Sequence, residues 1–357
     1  MKEILFSAYS LDVGGIETAL ITLLKNIHLK YKITLVLEKK QGLFLNQIPE
    51  DIKIITYKPN DNKVTILRKI CNFIKQQLFK IKYKNKFDFS ICFATYSYSA
   101  SFVSRIASKN SILWVHNDYM SFYNNDVNKY KEFFSKLKIA DFKKIVFVSE
   151  NDKNIFLKYF QEYQNKCIQC NNLIDYEKIK EKAKEDVKDF KVKENITTFI
   201  NIGRHDEKQK KLSRIINATK RLNKEGYIFR VIFVGNGPDT ERYKEQAKDL
   251  QNIEFLGAKK NPYPYLKNSD CLLMSSDFEG YPVVFIESLI LGKTIITTDV
   301  SDSKKDIKDK FGLVVDKSED GIYNGMKEYL EKGFSTKTFN PKEFNEDILK
   351  KLEEIMK

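Results

Sequence analysis

The sequence predicts an α/β protein built from two doubly wound parallel sheets. Three observations point there. Short β-prone runs alternate with amphipathic helical patterns along nearly the whole chain, as parallel strands with crossover helices require. Two strand ends open into glycine turns that feed helical patterns, at Gly14-Gly15 and at Gly235-Asn236-Gly237. The 357 residues, 42% hydrophobic and 31% charged, suffice for two cores of ordinary size.

Composition narrows the setting. A net charge of +14 implies attraction to something anionic: nucleic acid, an acidic membrane face or a phosphorylated substrate. No apolar run approaches the ~20 residues of a membrane span. Met1-Lys2-Glu3 leads straight into a strand-like run without a cleavage pattern, so a cytoplasmic location is expected. Five cysteines form no framework; Cys167-x-x-Cys170 has no second pair and no nearby histidine, so no metal site is expected.

In chain order, Glu3 to Tyr9 reads as a buried strand and Glu17 to Ile27 as an apolar-faced helix. The turn between them, Leu11 to Glu17, carries Gly14 and Gly15, which let backbone approach a ligand closely. Further strands are expected at Ile33–Glu38, Ile52–Lys58, Phe89–Ala94, Ile112–His116 and Ile145–Ser149. His116 stands at the carboxyl end of one of them, where sites in such sheets lie. Between Lys63 and Phe87 the chain holds eight Lys or Arg and no acid, with Leu67, Ile70, Cys71, Ile74, Leu78 and Ile81 at helical spacing. Such a helix packs its apolar stripe on the sheet, lies on an anionic membrane, or does both, since a packed helix can still steer the protein to lipid phosphates; residues 63–86 are the candidate contact for inner-leaflet lipid.

A short strand at Lys166–Cys170 precedes Asn171-Asn172-Leu173-Ile174-Asp175, and the domain boundary is placed near 175. The charged stretch Asp175–Asn195 reads as a linker helix. A strand at Thr197–Gly203 then meets the loop Arg204 to Lys211, where Arg204 offers a planar fork and Lys210 a point charge for one pyrophosphate. Strands follow at Val231–Gly235, Ile253–Gly257, Cys271–Met274 and Thr294–Asp299, and Pro341–Lys357 reads as a last amphipathic helix. The densest chemistry lies in Ser275 to Gly292, read as strand, sharp loop and helix. Glu279 falls in the loop and Glu287 about a turn and a half into the helix, so that both carboxylates are expected to face one small cavity. The helix start at Gly280, Tyr281, Pro282, Val283 and Val284 offers free N–H groups to a phosphate, Pro282 contributing none, and the carboxylates offer acceptors to vicinal sugar hydroxyls.

Glu279 and Glu287, with seven residues between them, resemble the Glu-x7-Glu signature of retaining glycosyltransferases of the GT-B fold, in particular glycosyltransferase family 4. The Gly14-Gly15-x-Glu17 loop, the Asn172-x-x-Asp175 junction and the Arg204-x5-Lys210 element resemble other parts of that family's pattern. Where the family often has Gly after the lysine this chain has Lys211, and Ser301-Asp302-Ser303 replaces a glycine loop. The resemblance implies two Rossmann-like domains facing across a cleft: residues 1–175 on the acceptor side, 176–340 binding a nucleotide-diphosphate sugar, and a helix 341–357 crossing back to the first.

It implies roles as well. Arg204 and Lys210 stabilise the leaving diphosphate, Glu279 with the Gly280–Val283 backbone grips sugar and phosphate, and Glu287 holds the ribose. His116 positions the sugar, while Gly14, Gly15 and Gly235 line the donor. The expected reaction is retaining transfer to a saccharide acceptor, lipid-linked, in surface-polysaccharide assembly. No cofactor, no metal and no nucleic acid is expected, and no Asp-x-Asp occurs in the chain. Two readings stay open beside it: a nucleotide-sugar epimerase of the same architecture, and a non-enzymatic basic module binding lipid or nucleic acid.

Overall fold

The computed structural model describes residues 1–12, 14–191 and 195–357. Val13 of the first glycine turn, and residues 192–194 of the charged stretch after Asp175, lie outside the described residues. The chain divides into two compact units, residues 1–174 with 345–357 and residues 175–344.

The first unit holds a sheet of β1 (Glu3–Ala8), β2 (Lys32–Leu37), β3 (Lys53–Thr56), β4 (Phe89–Cys92), β5 (Ser111–Val115), β6 (Lys144–Phe147) and β7 (Cys167–Gln169). Their order is β3-β2-β1-β4-β5-β6-β7, every pair parallel. The central strand is apolar on both faces because helices cover both: Ile4, Leu5 and Phe6 are fully buried. Helix Val127–Leu137 places Phe133 and Phe134 against Phe147, Phe156 and Phe160 in one aromatic cluster, with Phe134 and Phe156 centred 5.0 Å apart. Residues 345–357 close this unit. Asn345 Nδ2 donates to the Ile174 carbonyl at 2.7 Å, and Lys2 Nζ and Lys144 Nζ each reach a carbonyl of the last turn at 2.8 Å. Those lysines complement the negative end of the helix.

Helix Thr65–Tyr83 is placed differently from the packed alternative the sequence allowed. Its apolar stripe does not lie on the sheet; the helix is held by Phe79, Tyr83 and Asn72 on the opposite side.

The second unit holds β8 (Thr198–Ile202), β9 (Arg230–Val234), β10 (Ile253–Gly257), β11 (Cys271–Met274), β12 (Thr294–Thr298) and β13 (Gly312–Val315), in the order β10-β9-β8-β11-β12-β13 and again parallel. The edge strand β13 was not anticipated: four residues between charged runs give too short a pattern. Helix Leu212–Lys224 buries Leu212, Ile215, Ile216, Thr219 and Leu222, the i, i+3, i+4 positions that face the sheet. The stretch after Asp175 is not a free linker. It forms a helix, Tyr176–Lys182, N-capped by the Asp175 carboxylate, and Asn261 Nδ2 donates to the Lys182 carbonyl at 2.9 Å. Asp189 then accepts from Tyr265 Oη at 2.6 Å, so much of the charge there is spent on contacts within the unit.

Sheet order fixes where the site lies. β8 sits between β9 and β11, so the chain leaves β8 on one side and returns to β11 on the other. The loops at the carboxyl ends of these neighbours diverge, which opens a crevice in this fold.

Candidate active site

Two loops meet at that crevice, residues 203–211 after β8 and 275–282 after β11. Backbone lacing fixes them: Asp277 N donates to the Gln209 carbonyl at 2.8 Å, and Ser275 Oγ to the Lys210 carbonyl at 2.8 Å. Arg214, two residues into the following helix, bonds the Ser275 carbonyl at 2.9 Å and the Asp277 carboxylate at 2.7 Å. The first loop ends in a left-handed residue, Lys211, with φ 52° and ψ 42°. That conformation is what glycine adopts without penalty, so it accounts physically for a glycine being common at this point.

Lys210 Nζ lies 2.5 Å from Glu279 Oε1, and the two side chains are only 17% and 10% exposed. A near-buried, charge-assisted pair of this length is strong and directional. Gln209 joins the group: its Nε2 donates to the Phe278 carbonyl at 3.1 Å, and its Oε1 accepts from Arg204 Nη2 at 3.3 Å. Arg204 also pairs with Asp206 at 3.0 Å, but its side chain is 62% exposed. One cation is therefore engaged inside and the other waits at the surface of the same loop. Among the lysines of this loop it is Lys210 that meets Glu279, while Lys211 faces Asp277 at 3.7 Å.

Helix Val283–Ile290 follows, with Pro282 at its N-cap and no side-chain cap, so its first-turn N–H groups point out of the loop without that competitor. Gly280 and Tyr281 are held from below by the loop after β12. Ser301 Oγ donates to the Gly280 carbonyl, and Tyr281 Oη to Asp306 Oδ2 at 3.0 Å. Burial raises the Asp306 carboxyl above its ordinary range. The Ser301-Asp302-Ser303 departure thus retains a supporting role at the site.

Glu287 has a separate partner. It is half-buried, its carboxyl turned inward, and accepts a hydrogen bond from Tyr263 Oη at 3.0 Å. Burial pushes its carboxyl up to about 7, against the opposing pull of that hydrogen bond. The two carboxylates expected to share one cavity are therefore committed to different neighbours, Glu279 to Lys210 and Glu287 to Tyr263.

Gly235 and Gly237 have a packing reason. A Cβ at Gly235, where φ is 156°, would stand 1.8 Å from the Gly203 carbonyl oxygen, and one at Gly237 would stand 2.3 Å from that of His205. His205 itself is buried, its Nδ1 3.0 Å from Thr240 Oγ1.

In the first unit, Gly14 and Gly15 stand at the start of helix Gly15–Ile27, and a Cβ at Gly14 would strike the Glu17 carboxylate. Tyr96 Oη donates to Glu17 at 3.1 Å, and burial raises the Glu17 carboxyl. His116 follows β5, its ring 4.3 Å from that of Phe93 and parallel to Trp114. Burial lowers its imidazole to about 3, so it is neutral near pH 7, and neither ring nitrogen has a hydrogen-bond partner among the described residues.

Two residues of the second unit escaped the sequence reading as contributors, Gln209 and Arg214; Asn261-Pro262-Tyr263, which the resemblance implies lies near the nucleotide base, adds the Tyr263 hydroxyl bond to Glu287. Each acts through a tertiary hydrogen bond. Only the placement of Gln209 beside Lys210 was a signal.

Residues 182–343 match the family described as "Glycosyl transferases group 1". An uncharacterized glycosyltransferase of Methanocaldococcus jannaschii is 30% identical over 209 residues, which span 55% of this chain and half the length of that relative. The N-acetylgalactosamine-N,N'-diacetylbacillosaminyl-diphospho-undecaprenol 4-alpha-N-acetylgalactosaminyltransferase of Campylobacter jejuni is 26% identical over 93% of this chain and 91% of its own. Among solved structures, HepE of Anabaena in complex with UDP superposes with a TM-score of 0.76 at 16% identity, covering 99% of this chain and 100% of that one. The fold is GT-B, and these findings support a glycosyltransferase of that class. A lipopolysaccharide 1,6-galactosyltransferase of Salmonella typhimurium is also similar, 26% identical over 30% of this chain and 32% of its own.

Proposed function

We propose that this chain moves a glycosyl unit from a nucleotide-diphosphate sugar to a hydroxyl of a lipid-linked saccharide acceptor, with retention and without a metal, as a member of glycosyltransferase family 4. The observation that carries this reading is the Lys210–Glu279 pair, bridged toward Arg204 by Gln209 at the carboxyl ends of β8 and β11. It supports the reading because such cations suit the charge that gathers on a leaving diphosphate, and such a carboxylate suits sugar hydroxyls that need an acceptor.

On this reading Arg204 and Lys210 take the diphosphate, the N–H groups of Gly280, Tyr281 and Val283 with the Pro282 turn shape its seat, and Glu279 holds the sugar. Glu287 accepts from the ribose hydroxyls once Tyr263 yields. His116, neutral and with both ring nitrogens unpaired, serves as a sugar-positioning group rather than a base. The leaving phosphate oxygen takes the acceptor proton on the face it departs from. The Campylobacter relative's name includes a diphospho-undecaprenol acceptor and an alpha linkage, and the Anabaena neighbour holds UDP; both support the choice of substrates.

The test is turnover of UDP-sugars with diphospho-polyprenol-linked saccharides by wild type and by Arg204→Ala, Lys210→Ala and Glu279→Gln. Each variant is expected to lose about 10²–10³-fold in kcat, the usual effect of removing one transition-state contact. Wild-type turnover in all three would overturn the assignment. A new sugar nucleotide formed from donor alone would instead identify an epimerase.

A further inference from the structure

We propose that helix Thr65–Tyr83 docks the protein on an anionic lipid bilayer, lying flat with its apolar stripe in the interface. The case rests on which face the fold turns outward. In a helix that packs on its own sheet the apolar stripe is buried and the charged face is wet. Here the apolar stripe is exposed along with the charges. Phe79 is the buried residue of the helix, packed with Tyr57 and Phe102 at ring-centre distances of 5.0 and 5.9 Å. Asn72 exchanges hydrogen bonds with the Asn60 backbone at 2.6 and 3.1 Å, and Lys75 Nζ donates to the Lys58 carbonyl at 3.1 Å. These contacts fix the inner face.

The outer face carries the large hydrophobes. Ile66 is 71% exposed, Phe73 62%, Leu78 61% and Ile81 79%, with Ile70 and Ile74 about half exposed between them. At 3.6 residues per turn these side chains fall within a stripe about 140° wide, directed away from Asn72, Phe79 and Tyr83. A contiguous exposed apolar face of this size marks an interaction surface.

Charge names the partner. On the same helical wheel Arg68, Lys75 and Lys82 border the stripe along one edge, and Lys69 and Lys80 along the other. No Asp or Glu occurs from residue 63 to 87. Apolar chains between two rows of cations match a bilayer whose acyl boundary is overlaid by anionic headgroups: the stripe enters and the lysines reach up to phosphate. A second copy of this helix would set cation rows against each other, which disfavours self-association through this face. The proposal does not rest on the transfer reaction, since it concerns a surface of the first unit with its own readout.

The experiment is flotation of the full chain with vesicles of phosphatidylcholine alone and with about 30% phosphatidylglycerol. Wild type is expected to float with the anionic vesicles at low salt, to release substantially at high salt, and to stay in solution with phosphatidylcholine. The double substitution Ile70→Ser/Phe73→Ser and the charge reversal Lys69→Glu/Lys82→Glu should each weaken binding at least tenfold, all four side chains lying away from the contacts that hold the helix. A Phe73→Trp variant should show an emission blue shift on adding anionic vesicles, since the protein's own Trp114 is already buried. Absence of flotation, equal binding to both vesicle types, or an unshifted emission spectrum of the Phe73→Trp variant would overturn the proposal. So would a dimer in light scattering that the Ile70→Ser/Phe73→Ser change dissolves. The wild-type vesicle comparison and the Phe73→Trp spectrum decide the matter even if a double variant folds poorly.

Discussion

Replacing Glu287 by Gln should stabilise the protein at alkaline pH and leave it nearly unchanged in mild acid. The carboxyl is raised from its ordinary 4.5 to about 7 by burial. The sign follows from proton binding. Below about pH 4.5 the carboxyl is protonated in both folded and unfolded chains and contributes no penalty. As pH rises toward 7 the unfolded chain ionises while the folded one keeps its proton, so stability falls; above 7 the loss is complete. At about 1.4 kcal/mol per pH unit the full loss is roughly 3 kcal/mol. Gln keeps an oxygen that can accept from Tyr263 Oη but carries no charge to desolvate, so the variant should escape this loss. For a unit of this size that amounts to roughly 6–12 °C in Tm at pH 8, against little difference at pH 5. Calorimetric melts of both proteins from pH 5 to 9 provide the assay, and parallel Tm profiles would refute the reasoning. The functional corollary has the opposite direction. If Glu287 holds the ribose as a carboxylate, UDP should bind wild type several-fold more tightly at pH 8 than at pH 6, and the variant should lose that slope.

Two further predictions concern the loops that frame the site. Lys211→Gly relieves a left-handed backbone at φ 52° and should stabilise by about 1 kcal/mol, seen as a rise of about 2–4 °C in Tm. Gly235→Ala forces a Cβ to 1.8 Å from the Gly203 carbonyl oxygen and should destabilise by at least about 2 kcal/mol, measured as a lower urea midpoint.

What could be read in the sequence was what is local in it. Twelve of the strands announce themselves as β-prone runs bounded by turns, and the alternation with helices dictates parallel sheets. The Arg204–Lys210 and Glu279–Glu287 spacings likewise identify the loops that end β8 and β11. What escaped depends on contacts between residues far apart in the chain. Tyr263 lies 24 positions before the Glu287 it bonds, and Asp306 25 after the Tyr281 whose hydroxyl it accepts, so no period or spacing reports either pair. The helix Thr65–Tyr83 shows the limit most clearly. Its amphipathicity was evident, but periodicity fixes only that an apolar stripe exists. Which side faces the protein is decided by Phe79, Tyr57 and Phe102, and thus by packing.

If the proposed function holds, the Lys210–Glu279 pair also bears on how a charged substrate can be taken up at modest cost. Lys210 and Glu279 neutralise each other at 2.5 Å in a place where either charge left alone would be poorly solvated. A sugar nucleotide offers both replacements at once, phosphate oxygens to the lysine and sugar hydroxyls to the carboxylate. Binding then exchanges partners and leaves neither ion buried and unpaired. A bare diphosphate satisfies only the cation, and a free sugar only the anion. The pair accordingly favours a ligand in which the two are covalently joined, which is the discrimination a glycosyl donor site requires. Arg204, largely exposed and held by Asp206 and Gln209, can swing in without breaking a buried contact. On that proposal the division of labour would be between a cation that is already placed and one that arrives with the substrate, as the different burial of two residues on a single loop suggests.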